Sequence, residues 1–344
     1  MEILNRLKLN TVKILSIDGG GVRGIFPAIL LAHIEDELHA LGRHRYIYEI
    51  FNIIAGTSSG GLIALGLSAP KDPQSSAHKR EPIMTAGDLF DFYREKASVI
   101  FPNKRNNMGN RIIHAFRNKY DDKNLNALLQ RIFGDLTLKD ALTNILVTSY
   151  DTVNREPRFF KNRPAASDWG GADLNFYLRD VVRATVAAPT YFSPAFIRAV
   201  PDQGKSYSLI DGGVVANNPA LSAYIEARKI YPNAMKYLVL SLGTGVVDKP
   251  YPYEEVKDWG YIDWMSSFRG LPLLDMIMDG QSDGVVHMLK RLPGVELDRY
   301  DFLLDENHTL MDDASTENMA YMEEKARAFI SENRERIKTL CRKL

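Results

Sequence analysis

The chain has 344 residues, and 45% of them are hydrophobic. This is enough to bury a substantial core in one large α/β domain or in a domain with a helical appendage. Lys plus Arg and Asp plus Glu each number 43, so the charge balance argues for neither nucleic-acid binding nor strong attraction to a membrane. The sole cysteine, Cys341, excludes an internal disulfide and is typical of a reducing compartment. Residues 1–10 lack the long apolar core of a signal peptide, so we expect a cytoplasmic protein.

A glycine loop is the first feature along the chain. An apolar run at residues 14–17 predicts a strand, and Asp18-Gly19-Gly20-Gly21-Val22-Arg23-Gly24 follows it. Three consecutive glycines allow backbone N–H groups to turn toward one point, and this arrangement is typical of an anion cradle. The anion could be a bound phosphate or the oxyanion that forms when a serine attacks an ester.

An amphipathic helix is predicted after this loop, over residues 25–41. Its apolar side chains recur at helical spacing on one face, at Leu30, Ile34, Leu38 and Leu41. The acidic run at residues 35–37, which begins with Glu35, falls mostly off that face. The pattern therefore predicts a helix with one buried side.

Ser58 lies in a second glycine turn, Gly56-Thr57-Ser58-Ser59-Gly60, between an apolar run at 51–55 and a helix-like run at 61–65. This is the G-x-S-x-G nucleophile elbow in the strand-turn-helix context that it needs. Gly56, Gly60 and Gly61 supply the small residues that a strained turn between a crowded strand and helix requires. The hydroxyl would stand at the N-terminal end of a helix, whose partial positive charge favours a developing anion.

Residues 51–70 carry no charge over the length of a membrane span. Polar residues and several glycines interrupt this run, and it contains the elbow, so a buried strand followed by a helix explains it better. The apolar runs 145–148 and 238–242 also predict buried strands between helices. The pattern favours an α/β fold with a largely parallel central sheet covered by helices on both faces.

Residues 71–135 are polar and basic. We interpret them as a solvated helical face, and the alternative is an anion site for lipid headgroups or a regulatory nucleotide. The clustered basic residues are Lys104, Arg105, Arg111, His114, Arg117 and Lys119.

A general base for a serine nucleophile has two kinds of candidate. His287 and His308 follow the elbow in the order that an α/β-hydrolase requires, whereas the other histidines read as solvated or structural. Asp211 ends a predicted strand and precedes Gly212 and Gly213, which would allow close approach to a buried hydroxyl; an ordinary Asp-Gly turn is the alternative. The five histidines set aside are His33, His39, His44, His78 and His114.

Two phosphate-binding motifs are alternatives to the oxyanion interpretation. Gly19, Gly21 and Gly24 satisfy the dinucleotide fingerprint G-x-G-x-x-G, but the next strand ends in the serine elbow and not in the acidic residue that would hold a ribose. A P-loop is disfavoured because Ala199 stands where the leading glycine before Gly204 should be. The oxyanion interpretation explains both glycine turns together.

These motifs together resemble those of the patatin-like phospholipases, with residues 18–24, 56–60 and 211–213 matching the glycine loop, elbow and Asp-Gly turn in order. Residues 183–192, 217–219 and 241–245 are also similar, so the resemblance covers about 11–246. It implies the family's three-layer fold and a Ser58–Asp211 dyad that works through an acyl-serine. The residues it assigns are oxyanion donors at Gly19, Gly20, Gly21, Val22 and Arg23, and supporting glycines at Gly56, Gly60, Gly212 and Gly213.

The resemblance also sets expectations for substrate and partners. We expect hydrolysis of acyl esters of membrane phospholipids, peripheral contact with the inner face of the membrane, no cofactor, no metal and no nucleic-acid partner. Some bacterial members of the family are antiviral effectors that cyclic nucleotides switch on, and the sequence is compatible with such an activator and with a homo-oligomer. The rival interpretations are an α/β-hydrolase esterase with a Ser-His-Asp triad and a non-catalytic lipid- or nucleotide-binding module.

We expect a catalytic domain at residues 11–246 and a C-terminal helical extension at 247–344 packed on it. The extension begins with a segment rich in aromatic residues and methionine, and core packing is its simplest interpretation. A lid, a membrane-docking face and a subunit contact are the alternatives. Residues 319–342 predict a charged amphipathic helix. The segment comprises Trp259, Tyr261, Trp264, Met265, Phe268, Leu271, Leu273, Leu274, Met276, Ile277 and Met278.

Overall fold

A computed structural model describes residues 10–75, 80–102, 118–163, 174–201, 204–247, 250–264 and 272–344. Its strands are β1 (Thr11–Ile17), β2 (Ile53–Gly56), β3 (Asn144–Asp151), β4 (Glu156–Lys161), β5 (Ala195–Arg198), β6 (Ser206–Asp211), β7 (Lys236–Leu242), β8 (Val246–Val247), β9 (Val295–Tyr300) and β10 (Leu303–Leu304). Its longer helices are α1 (Ile25–Ala40), α3 (Ser59–Ser68), α4 (Ala86–Ile100), α5 (Asp122–Phe133), α6 (Leu178–Thr185), α8 (Ala220–Ile230), α11 (Pro272–Leu289), α12 (Thr316–Glu332) and α13 (Arg334–Lys343). The described residues also form short α-helices at α2 (Ile47–Ile50), α7 (Gly213–Ala216), α9 (Tyr253–Val256) and α10 (Tyr261–Trp264).

The central sheet has the strand order β5-β6-β3-β2-β1-β7-β9, and β4 pairs with β3. Strands β3, β2, β1, β7 and β9 are parallel, whereas β4 and β6 run antiparallel to β3. Ile17 at the end of β1 pairs with Gly56 on β2 and with Leu242 on β7. The loops that follow these three strands therefore leave the sheet at one edge, which is where ligands bind in open α/β sheets.

Both faces of this sheet are covered. Val12 and Ile14 of β1 are buried in a core that includes alanines of α8, whereas Leu15 and Ile17 face a larger core formed with α1, α3, α4, α6 and α12. This alternation places successive side chains on opposite faces of a strand. The expected α/β fold, with a largely parallel sheet between two helical layers, is confirmed.

Helix α1 follows the glycine loop as predicted but differs in two positions. It ends at Ala40, and Leu41, expected on the buried face, is 48% exposed. Glu35, expected on the polar side, is 7% exposed and accepts a hydrogen bond from the Ala86 N–H at 3.3 Å. The expectation for Glu35 was wrong because α4 packs over that side of α1. Burial there raises the pKa of Glu35 to about 7.

The C-terminal residues are more varied than a helical extension. β9 joins the central sheet beside β7, and the two-stranded pair β8–β10 lies outside it. The single helix predicted at 319–342 is two helices, α12 and α13, which meet at Asn333. Helix α12 packs against α1. The expected domain boundary at residue 246 stays a prediction, and the structure places β9 in the same sheet as the strands before it.

Candidate active site

Ser58 occupies a tight turn between β2 and α3. Its backbone has φ 53° and ψ −122°, a conformation that non-glycine residues rarely adopt. The Ser58 N–H donates to Thr185 Oγ1 at 2.8 Å, which anchors the turn to α6. A Cβ at Gly56 would lie 2.1 Å from the carbonyl oxygen of Gly60. The backbones of these two glycines are therefore too close together for a side chain at position 56. This is the strand-turn-helix arrangement that the elbow motif predicted.

Asp211 lies at the end of β6 and reaches Ser58. Its side chain is 6% exposed, accepts a hydrogen bond from the N–H of Gly213 at 2.7 Å, and lies beside the Ser58 hydroxyl. A Cβ at Gly212 would lie 2.0 Å from Thr148 Oγ1, so a glycine is needed for β6 to approach β3 this closely. Burial raises the pKa of Asp211 to about 6, and the adjacent Ser58 hydroxyl and Gly213 N–H oppose that rise. A buried carboxylate beside a serine hydroxyl is placed to accept its proton.

The glycine loop lies beside this pair. A Cβ at Gly19 would be 3.1 Å from Ser58 Cβ, so the loop begins against the serine. Of the five predicted oxyanion donors, Gly21, at φ +59°, is the one whose N–H has no acceptor in the described part of the chain. The other four donate within the protein: Gly19 to Asn217 O at 3.3 Å, Gly20 to Ser59 Oγ at 3.1 Å, Val22 to Met311 O at 2.8 Å and Arg23 to Gly20 O at 3.2 Å.

Buried charged side chains support the glycine loop. Arg23 is buried, and its Nε donates to the Gly20 carbonyl at 3.4 Å, so its side chain supports the loop. Asp18 is also buried. Arg299 on β9 donates hydrogen bonds to Asp18 Oδ2 at 2.7 Å and to Asp301 Oδ2 at 2.6 Å. Burial raises the pKa of Asp18 to about 6 although the Arg299 charge opposes this. Sequence reasoning missed Arg299, because no local pattern links two residues that lie 281 positions apart.

A cavity of about 350 Å³ opens onto Ser58 and Asp211. Its volume falls in the range of small-molecule sites, about 300–1,000 Å³. Apart from Ser58, Ser59, Thr190, Asp211, Asn217 and Asp312, its walls are glycine, aliphatic and aromatic residues. Those with larger apolar side chains include Leu62, Phe92, Tyr93, Ile100, Phe101, Leu125, Tyr191, Phe192, Leu274, Met278 and Met311. The arrangement can therefore hold a long apolar group with its reactive end at the serine.

The two histidines considered as alternative bases lie elsewhere. His287 is exposed on α11, and His308 stacks on Tyr321 and bonds Asn318 Oδ1 at 2.8 Å. Neither lines the cavity around Ser58. Across the residues that the structure describes, no group of three or more His, Cys, Asp or Glu side chains is arranged to hold a metal ion.

The structure describes part of the two other segments singled out in the sequence, the basic cluster and the segment rich in aromatic residues and methionine. The basic cluster lies outside the described residues except for Lys119, which pairs with Asp312 at the cavity wall; His78 also lies outside. Of the segment rich in aromatic residues and methionine, Met265, Phe268 and Leu271 lie outside. Its helix α11 contributes Leu274 and Met278 to the cavity, whereas Leu273, Met276 and Ile277 are exposed. Core packing is therefore an incomplete interpretation of this segment.

Comparison with known proteins agrees with the geometry of the site. The family model for patatin-like phospholipases matches residues 15–224, and the chain belongs to this family. It is accordingly a lipid acyl hydrolase, an enzyme that cleaves carboxylic ester bonds. It is 33% identical to patatin-like protein 2 of Arabidopsis thaliana over 91% of this chain and 80% of that protein. It is also 33% identical to patatin-like protein 1 of Oryza sativa subsp. indica over 90% and 77% of the two chains.

Comparison with solved structures also matches VipD from Legionella pneumophila. It has a TM-score of 0.41 and 12% sequence identity, and the match covers 94% of this chain and 67% of that one. Separately, none of the helices in the described ranges combines the length and apolar character that crossing a bilayer requires.

Proposed function

We propose that the chain hydrolyses acyl esters of membrane phospholipids with Ser58 as nucleophile and Asp211 as general base. The observation that carries the proposal is the position of the Ser58 hydroxyl beside the buried Asp211 carboxylate, with both residues lining a largely apolar cavity. Burial raises the basicity of Asp211 above that of a solvated carboxylate. The carboxylate is still mostly ionised at neutral pH, so it can accept a proton as the serine attacks.

The reaction has two stages, acylation of Ser58 and hydrolysis of the acyl-serine. Ser58 Oγ attacks the ester carbonyl carbon while its proton passes to Asp211, and the carbonyl oxygen becomes an oxyanion. Collapse of this intermediate breaks the ester C–O bond, and Asp211 returns the proton to the departing lysophospholipid alcohol. Water then attacks the acyl-serine while its proton passes to Asp211. Collapse of the second tetrahedral intermediate breaks the acyl–Oγ bond and releases a fatty acid, and Asp211 returns the proton to Ser58 Oγ.

The apolar side chains of helix α11 favour a phospholipid as the substrate. Leu274 and Met278 face the cavity, and Leu273, Met276 and Ile277 on the same helix are exposed. Nearby, Tyr261 is 81% exposed. Clustered exposed apolar side chains mark interaction surfaces. A membrane surface next to the cavity mouth would let an acyl chain pass from the bilayer to Ser58 without crossing water.

The test compares the wild type with Ser58→Ala on mixed phospholipid vesicles and on a soluble short-chain ester, with fatty acid measured by mass spectrometry. We expect release from both substrates by the wild type and from neither by Ser58→Ala. His287→Ala and His308→Ala should retain activity, since a triad mechanism predicts that one of them is inactive. Hydrolysis of the soluble ester alone would refute the phospholipid substrate, and no Ser58-dependent hydrolysis would favour a binding module.

Activation by a cyclic nucleotide, an antiviral role, a homo-oligomer and the cytoplasmic location stay predictions. The vesicle assay tests the first of these when it is repeated with cyclic di- and trinucleotides. Fatty acid release that requires one nucleotide would support a gated effector. Equal release without any nucleotide would mean a constitutive enzyme.

A further inference from the structure

The sequence Asn217-Asn218-Pro219 follows the Asp211 turn, and the dyad mechanism does not use it. The two asparagines have different surroundings. Asn218 is fully engaged: its Oδ1 accepts from the Ala220 N–H at 3.0 Å and from Ser16 Oγ at 3.4 Å, and its Nδ2 donates to Ser282 Oγ at 3.3 Å. Asn218 thus fixes the start of α8 to β1 and α11.

Among the described residues, Asn217 makes hydrogen bonds only through its backbone. Its carbonyl accepts from Gly19 and its N–H donates to Gln281 Oε1 at 3.3 Å. The residue is 7% exposed, and its acceptor Oδ1 is fully enclosed without a partner, whereas its donor Nδ2, also without a partner there, is not fully enclosed. Leaving the acceptor buried and unpaired costs about 1–3 kcal/mol, so this amide does not stabilise the fold through hydrogen bonds and the position calls for a functional reason.

This amide lies between the glycine loop and the Asp211 turn. A Cβ at Gly19 would be 2.6 Å from Asn217 Oδ1 and 3.1 Å from Ser58 Cβ, so amide and serine lie against the same side of Gly19. A Cβ at Gly213 would be 3.2 Å from Asp211 Oδ1 and 3.4 Å from Asn217 Oδ1. Asn217 also lines the cavity together with Ser58 and Asp211.

An oxyanion hole needs donors that are free when the substrate arrives, and such holes commonly use two. Four of the five predicted loop donors already have protein acceptors, which leaves the Gly21 N–H. We propose that the Asn217 side-chain amide donates the second hydrogen bond to the oxyanion formed when Ser58 attacks. The proposal rests on the hydrolase function above. The donor is Nδ2, and because it has no acceptor among the described residues, no hydrogen bond must break before it can bind the oxyanion.

The first test measures kcat, KM and melting temperature for Asn217→Ala with a soluble short-chain ester. Removing one oxyanion donor typically lowers kcat by about 100- to 1,000-fold, and we expect KM to stay within about threefold because the bond forms in the transition state. Inhibition by a long-chain trifluoromethyl ketone, which gives a tetrahedral oxyanion with the serine, should weaken in parallel. The corresponding secondary alcohol should bind both proteins equally.

The melting temperature separates this role from a structural one. Since the amide is unpaired, Asn217→Ala should melt no lower than the wild type. The matched control Asn218→Ala removes three hydrogen bonds and should melt lower while keeping most of its kcat. A kcat for Asn217→Ala within threefold of wild type, or a loss of kcat together with a melting temperature as low as that of Asn218→Ala, would overturn the proposal. If the wild type hydrolyses no ester, the proposed function fails first and this inference with it.

Discussion

Thr185 Oγ1 accepts the backbone N–H of Ser58 at 2.8 Å and holds the serine in its left-handed conformation. The contact joins α6 to the elbow across 127 residues of sequence. The shape-conserving change Thr185→Val would leave the N–H without an acceptor, which costs about 1–3 kcal/mol. We expect kcat on a soluble ester to fall about tenfold, since 1.4 kcal/mol corresponds to a factor of ten.

The control for this change is Thr339→Val on α13, whose hydroxyl bonds the Glu335 carbonyl at an exposed position. It should leave kcat unchanged. An unaltered kcat in Thr185→Val would mean that the crowded glycines alone hold the turn.

The pKa of Asp211 predicts the pH dependence of activity. A general base must be ionised, and burial raises the pKa of this carboxyl to about 6. We therefore expect kcat/KM for the soluble ester to be level above pH 7 and to fall about tenfold for each pH unit below 6. An inflection near pH 4, the usual range of a solvated aspartate, would contradict the assigned environment of Asp211.

The raised pKa of Asp211 also predicts that its ionised form lowers the free energy of unfolding at neutral pH. Because its folded pKa of about 6 exceeds the ordinary 3.8, the folded state binds the proton more tightly than the unfolded state does. The contribution of protonated Asp211 to the free energy of unfolding is fully present below pH 3.8 and is lost as the pH rises through 6. The cost of the charge above pH 7 is therefore up to about 3 kcal/mol.

Asp211→Asn removes this charge, so we expect it to be inactive but more stable than the wild type at pH 8. Denaturant unfolding of both proteins at pH 8 and pH 5 measures the effect, and the difference should shrink at pH 5. A lower stability of Asp211→Asn at pH 8 would refute the argument.

The glycines of the elbow and those of α11 should respond oppositely to alanine. Gly56→Ala places a Cβ 2.1 Å from the Gly60 carbonyl oxygen, and because both groups are backbone we expect a loss of at least about 3 kcal/mol. Gly280, within α11, has nothing within 4 Å of an added Cβ. Gly280→Ala should therefore raise the free energy of unfolding by about 0.5–1 kcal/mol. Equal thermal melting of the two variants would contradict this.

Arg299 should contribute far more than an exposed arginine. Its side chain bridges Asp18 and Asp301 where all three are largely buried, and breaking such a pair typically costs about 3–5 kcal/mol because a buried charge is left alone. Arg299→Met should show this loss in denaturant unfolding, and adding Asp18→Asn should restore part of it. The control, Arg327→Met, breaks an exposed pair with Glu323 and should change stability by less than about 1 kcal/mol.

The features predicted correctly are local ones. The elbow at Ser58 and the glycine loop are each defined by a strand, a turn and a helix that follow one another, so composition and spacing within some fifteen residues specify them. The buried strands around 145–148 and 238–242 carry continuous apolar runs because helices cover both sheet faces. The role of Asp211 as partner of Ser58 stays a prediction that came from the family resemblance, since its own Asp-Gly context is also that of an ordinary turn.

The features that were missed depend on distant residues. Glu35 has the composition of a surface position, and only the docking of α4 buries it. The break at Asn333 between α12 and α13 lies in a charged stretch where one asparagine costs little helix propensity. That the Asn217 amide has no hydrogen-bond partner among the described residues is visible only once the glycine loop, the Asp211 turn and α11 surround it.

The position of β9 has a consequence for any shortened form of this protein. In the intact chain β7 lies between β1 and β9, so both sides of it are paired. A fragment ending at residue 246 would open one side of β7, a run of seven residues, Lys236–Leu242, with five apolar side chains. Unprotected strand edges recruit other chains. Such a fragment would retain Ser58 and Asp211 and would be prone to self-association through β7.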